Sequence, residues 1–202
     1  MIDAALLQKC ADPALKPAIV ERFIAEAGSP DPLAVTVRSG DRVVLVPKPA
    51  SLDDAMALMR QYVGKAVVRV GITQYPAGLG IADPSELRPD LVDACENIRM
   101  GTALFGKVYR VVTKWYGNAV DEAFDDAIYA WKTGYFDGKP VFSEPDPRDV
   151  ELAAPAATSS EPAEEGPADA GPVAPEDDLE VDGNPNSAGI RIDLSAIGGR
   201  AP

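Results

Sequence analysis

Four stretches of this chain hold residues of types that do chemistry. Glu26 closes an apolar helical run just before a Gly28-Ser29-Pro30 break. Gly71-Ile72-Thr73-Gln74-Tyr75-Pro76 is a short strip of mixed apolar and polar residues in a loop-rich segment. Cys10 and Cys95 are the two thiols, each beside a helical pattern, in Cys10-Ala11-Asp12-Pro13 and Asp93-Ala94-Cys95-Glu96-Asn97. A carboxyl group among apolar neighbours can hold a proton near neutral pH and act as general acid, then as base. A glutamine beside it can hold a substrate amide or hydroxyl. Each feature also has a plain structural reading: a helix-end glutamate sits in solvent, Gly-x-x-Gln is a short pattern, and cysteines in a reducing compartment bury as small apolar groups.

Composition narrows the chemistry. The 202 residues include no histidine, which excludes Ser–His and Cys–His nucleophiles and His-ligated metals. Two cysteines do not suffice for a zinc or iron–sulfur centre within one chain. No metal site and no cofactor are expected, and Gly78-Leu79-Gly80 lacks the strand–turn–helix context of a dinucleotide loop. Acid–base work falls to carboxylates, Lys, Tyr or Cys. Lys and Arg number 19 against 32 Asp and Glu, a formal charge of −13, so direct nucleic-acid binding is not expected. No apolar run approaches the roughly 18–20 residues of a membrane span. The start, Met1-Ile2-Asp3, has no basic region or long apolar stretch, which points to the cytoplasm.

Charge and composition divide the chain at residue 143. Residues 144–202 hold 14 acidic and 3 basic residues, nine prolines and no aromatic residue, a charge of −11 against −2 for residues 1–143. Such a segment buries too little apolar surface to offset its conformational entropy, so residues of about 146–185 are expected to be disordered. Residues 188–197 regain apolar character, as a floating terminus or a short docking segment.

Residues 1–143 carry the elements that must position the candidate groups. Helices are expected over residues 2–10, 17–27, from a Ser51-Leu52-Asp53-Asp54 start, over 97–115 and over 121–133. The first long one has Ile19, Phe23 and Ile24 on one face, and the fourth has Ile98, Phe105, Val108, Val112 and Trp115. Gly101 and Gly106 cost that helix about 1 kcal/mol each in propensity, so close packing is expected at both. Residues 33–37 and 42–46 flank Arg38-Ser39-Gly40-Asp41 as a β-hairpin, and residues 67–89, rich in Gly and Pro, read as irregular. The expected class is α+β, mainly helical with a small hairpin.

In order, these blocks resemble the lytic transglycosylase-like component of type IV secretion systems. Leu6-Leu7-Gln8-Lys9-Cys10-Ala11-Asp12-Pro13 stands where that family has Leu-Ala-x-x-Cys-Ala-Pro, and Glu26-Ala27 where it has its catalytic Glu-Ser. Asp31-Pro32-Leu33-Ala34-Val35, Pro49-Ala50-Ser51-Leu52-Asp53-Asp54-Ala55, Gly71-Ile72-Thr73-Gln74, Asp93-Ala94-Cys95-Glu96-Asn97 and Trp131-Lys132-Thr133-Gly134 follow in family order. The resemblance spans Leu6 to about Pro140 and implies a lysozyme-like fold. It implies Glu26 as acid–base, Gln74, Tyr75 and Ile72 as substrate contacts, peptidoglycan as substrate, and a Cys10–Cys95 disulfide. Phe23, Ile24, Ile72 and Tyr75 would then line the pocket beside Glu26. The sugar's own 6-hydroxyl serves as nucleophile in such an enzyme, so one carboxyl group suffices.

A narrower resemblance is carried by Pro17-Ala18-Ile19-Val20-Glu21, Asp31-Pro32-Leu33-Ala34-Val35-Thr36-Val37, Val68-Arg69-Val70-Gly71, Leu91-Val92-Asp93-Ala94-Cys95 and Lys114-Trp115-Tyr116-Gly117-Asn118. These blocks are similar to the TraH-type conjugal transfer proteins of Ti-type and symbiotic plasmids. That resemblance implies a role in DNA transfer between bacteria, with proteins of the type IV secretion machinery as partners. Three departures from the hydrolase pattern stand beside it. Ala27 replaces the serine after the acid, Pro76 replaces the asparagine after Gln74-Tyr75, and an ungapped match puts Ala27, not Glu26, at the acid position. The expectation is a degenerate lysozyme-like domain used for binding or assembly. The alternative is an active lytic transglycosylase, which would work in the periplasm or cell envelope.

Overall fold

The structure, a computed structural model, describes residues 2–154. Five helices, Ala4–Cys10 (α1), Pro17–Ala27 (α2), Leu52–Tyr62 (α3), Ala94–Tyr116 (α4) and Asp121–Thr133 (α5), combine with two antiparallel sheets. Their ends follow local chemistry. Pro17 opens α2, where its missing N–H costs nothing. Ser51 caps α3 by accepting from the backbone N–H of Asp54, and Asp93 caps α4 by accepting from that of Glu96. Gly117 and Gly134 end α4 and α5 in the left-handed conformation that glycine tolerates.

The four-stranded sheet runs in the order β2-β1-β3-β4, with Val35–Ser39 (β1), Arg42–Val44 (β2), Val67–Val70 (β3) and Tyr75–Pro76 (β4). The β1–β2 hairpin forms in the segment the sequence predicts, with Arg38 and Ser39 in the first strand and not in the turn, and the β content exceeds one hairpin. Residues 67–89, read from sequence as irregular, supply both β3 and β4. The reason is pairing at a distance: β3 finds its partner in β1, more than 25 residues back, with Val35 opposite Val70 and Val37 opposite Val68. A second hairpin, Tyr135–Phe136 (β5) and Lys139–Pro140 (β6), follows α5.

The apolar residues form two clusters. One lies among α1, α2, α4 and α5, where the Phe23 and Phe105 rings stack at 4.0 Å and Trp131 meets Phe23 edge-on at 5.1 Å. Such aromatic pairs add about 0.5–1.5 kcal/mol beyond the area they bury. The other lies between α3 and one face of the sheet, where Met56 and Met59 cover Val35, Val37, Val68 and Val70. Strand alternation turns Thr36, Arg38 and Arg69 to the opposite face.

Two expectations change at the periphery. Trp115, placed from sequence on the apolar face of α4, is 59% exposed and packs edge-on against Tyr116 and Phe136. The chain also stays on the body beyond residue 143. Arg110 pairs through two nitrogens with Asp146 at 2.7 and 2.8 Å, Leu152 packs on the helical core, and Tyr109 donates to the carbonyl of Ala153 at 3.0 Å. The expected acidic tail over 144–202 thus begins as a strap on α4, held by a partner that composition does not reveal. The rest of it, with the apolar segment 188–197, lies outside the described residues.

Candidate functional site

The Gly71–Gln74 loop joins β3 to β4 and is held from three sides. From α4, the fully buried Asn97 accepts at Oδ1 from both the backbone N–H and the hydroxyl of Thr73, each at 2.9 Å. Its Nδ2 donates to the carbonyls of Val70 at 3.1 Å and Leu91 at 2.7 Å. From α5, Trp131 Nε1 donates to the Thr73 carbonyl at 3.1 Å. From the end of α2, the Ser29 N–H donates to the Ile72 carbonyl at 2.8 Å. Glycine is required where these elements touch. A Cβ on Gly71 would lie 2.4 Å from Asn97 Nδ2, and one on Gly101 would lie 2.1 Å from Thr73 Oγ1. The close packing expected at Gly101 is this contact, and Gly106 packs on Leu15.

Within this loop, Gln74 adopts a left-handed backbone (φ 53°) and spends its amide locally. Its Nε2 donates to the Gly71 carbonyl at 2.9 Å, and its Oε1 accepts from Thr36 at 2.8 Å. Ile72, 3% exposed, packs in the helical core with Phe23, Ile24 and Ala27. Tyr75 is half-buried between the two clusters, and that burial raises its phenol above the ordinary range. Phe23 and Ile72 therefore belong to a closed core and not to the wall of an open groove.

Glu26 is exposed on α2 and accepts from Arg22 Nε at 2.7 Å, and Arg22 also reaches Asp125 on α5 at 3.0 Å. No hydrogen bond or ion pair joins Glu26 to Gln74 among the described residues. Ala27, the residue at the acid position of an ungapped match, is buried in the helical core. The two thiols do meet: Cys10 at the end of α1 and Cys95 at the start of α4 form a disulfide, with Cα atoms 5.1 Å apart.

The structure also brings together residues the sequence did not single out. Arg69 lies on the sheet face turned away from α3, is 7% exposed, and points at the C-terminal end of α5. It donates to the carbonyls of Trp131 and Lys132, with its guanidinium over the rings of Trp131 (5.6 Å) and Phe142 (5.2 Å). Carbonyls at a helix end carry partial negative charge, which a cation offsets. Burial first, and Arg38 second, push its pKa down to about 10. Arg69 on β3 stands opposite Thr36, and Arg38 opposite Val67, so the two arginines are diagonal neighbours on one face. The only sequence sign of this was a charge interrupting a valine run, Val67-Val68-Arg69-Val70. Among the described residues, no group of three or more Cys, Asp or Glu is placed to hold a metal ion, and no helix is long and apolar enough to cross a membrane.

Fold and site together define a mixed α/β protein with a helix-locked β-turn and a cationic sheet face. The family model TraH_2 matches residues 1–199, and the chain belongs to that family. It is 53% identical over 204 residues to the uncharacterized protein y4dP of Sinorhizobium fredii, across 98% of this chain and 100% of that relative. The resemblance to TraH-type proteins read from the sequence blocks is borne out by both. No solved structure matches the chain.

Proposed function

We propose that this chain is a conjugal transfer protein whose lysozyme-like body works by binding or assembly within the DNA-transfer machinery, without cutting murein. Membership of the TraH_2 family and the ordered sequence blocks support the conjugal role. The lysozyme-like reading is supported by the order of parts: a helix ending at a Gly-x-x-Gln hairpin turn, with a long helix locking that turn through Asn97.

The observation that carries the non-hydrolytic reading is the placement of Glu26. A glycosidic acid must hold a proton near neutral pH, and an apolar pocket provides this. Glu26 instead lies exposed on the α2 surface, bound to a guanidinium at 2.7 Å. At the position that an ungapped match gives to the acid, the core holds the methyl group of Ala27. Gln74 is committed to Thr36 and Gly71 and supplies its turn, not a substrate. The Cys10–Cys95 bond supports work in the cell envelope over the cytoplasm, because a structural disulfide persists in an oxidising compartment. Proteins of the transfer apparatus are then the partners.

A murein zymogram and a mating assay test this together. Purified protein is expected to leave murein intact, and Glu26→Gln is expected to transfer the plasmid at the wild-type frequency. The substitution removes an exposed pair of helix neighbours and should change stability by no more than about 0.5 kcal/mol. Clearing by the wild type that disappears in Glu26→Gln would establish the transglycosylase instead.

A further inference from the structure

We propose that the cleft between the outer face of the four-stranded sheet and the turn after α5 is an oxyanion-binding site, with Arg38, Arg69 and Lys65 as its cations and Tyr135 and Phe142 in its walls. The cleft has a volume of about 580 Å³, the size of a small-molecule site. It is independent of the conjugal role and of the fate of Glu26.

The first support is charge without counter-charge. The chain carries −13 overall, yet no Asp or Glu lines this cleft. Neither Arg38 nor Arg69 meets a carboxylate among the described residues, although five other arginines do. The Nε atoms of both are buried with no hydrogen-bond partner. A nine-tenths-buried guanidinium is costly unless its charge and its donors are matched. Carbonyls of Trp131, Lys132 and Gln74 take some of the Arg69 donors, but they are neutral groups. A bound anion would offset both charges and separate the arginines electrostatically.

The second support is rigidity. Register places Arg38 and Arg69 on adjacent strands, and the rings of Trp131 and Phe142 fix the Arg69 plane. A guanidinium held in this way offers the donors its carbonyl partners leave over at a fixed position, and Arg38 beside it adds a second set. Val67, Leu79, Pro140 and the two aromatic walls add apolar surface beside the charge. The ligand class is therefore a carboxylate or phosphate carried on a small apolar body. A nucleic-acid track is disfavoured, because three cations on a strongly acidic protein do not sustain a run of phosphates.

Isothermal titration of the full chain with phenyl phosphate, and separately with benzoate, tests the site. Saturable binding of at least one probe is expected, with NMR amide shifts centred on residues 38–40, 67–69 and 133–135. A phenyl phosphate preference identifies a phosphoryl ligand, and a benzoate preference a carboxylate. Arg38→Gln removes a side chain with no intramolecular hydrogen bond, so it should keep the wild-type Tm and weaken binding by about tenfold or more. Lys65→Gln, at the exposed rim, is the second variant and should weaken it less. Absence of saturation by both probes, unchanged affinity in Arg38→Gln, or shifts scattered over the surface would overturn the proposal.

Discussion

Asn97 and Thr73 are joined twice, the asparagine Oδ1 accepting from the threonine N–H and from its hydroxyl, at 2.9 Å each. The pair ties the middle of the protein together, since the same asparagine holds carbonyls before and after the loop. Asn97→Ala strands the Thr73 N–H and the carbonyls of Val70 and Leu91 in a dry interior. The expected loss is about 3 kcal/mol of unfolding free energy, measured by urea titration. A loss below about 1 kcal/mol would mean that water replaces the amide, contrary to the burial seen here.

Gly101→Ala separates packing from propensity by sign. Helix propensity alone would have it stabilise α4 by about 1 kcal/mol. The new Cβ would lie 2.1 Å from Thr73 Oγ1, so the loop must move. We expect destabilisation of about 2 kcal/mol. Gly106→Ala meets the flexible end of Leu15 at 3.2 Å and should stay within about 1 kcal/mol of the wild type in thermal unfolding.

The Cys10–Cys95 bond closes a loop across 85 positions. Chain entropy assigns such a crosslink about 4–5 kcal/mol. Cys10→Ser with Cys95→Ser, or reduction by dithiothreitol, should lower the unfolding free energy by close to that amount. Mass spectrometry of protein whose thiols are trapped at cell lysis should find the pair oxidised. Fully free thiols would instead locate the protein in a reducing compartment.

Asp146 gives the stability of the body an acid limb. Its carboxyl lies below the ordinary carboxylate range because Arg110 hydrogen-bonds it, outweighing the opposite effect of burial. A depressed folded pKa means that the unfolded chain binds the proton more readily. The contribution is therefore complete above the unfolded value of about 3.9 and is lost as pH falls through the folded one. Asp146→Asn should cost about 1 kcal/mol at neutral pH and flatten the fall in stability below about pH 4, followed by denaturant titrations across that range.

Helix ends and apolar faces were legible in the sequence because they depend on neighbours in the chain. Pro17, Ser51 and Gly134 mark boundaries wherever the chain goes, and the spacing of Ala123, Phe124, Ala127, Ile128 and Trp131 places α5 on the core. Glu26 and Gln74 were legible as residue types but not as a site. Which way a helix-end carboxyl turns depends on whether Arg22 or an apolar pocket receives it, and periodicity is blind to that.

Tertiary contact decided the rest. Val67–Val70 is too short to declare itself a strand and becomes one because β1 supplies its hydrogen bonds. Asn97 and Thr73 lie 24 positions apart and Arg69 and Trp131 lie 62 apart, so neither partnership leaves a local trace. The sequence alone determined where the chain is helical and that histidine chemistry is closed to it. The cationic face exists only after folding, because strand pairing sets two arginines side by side and compaction removes the water that would have screened them.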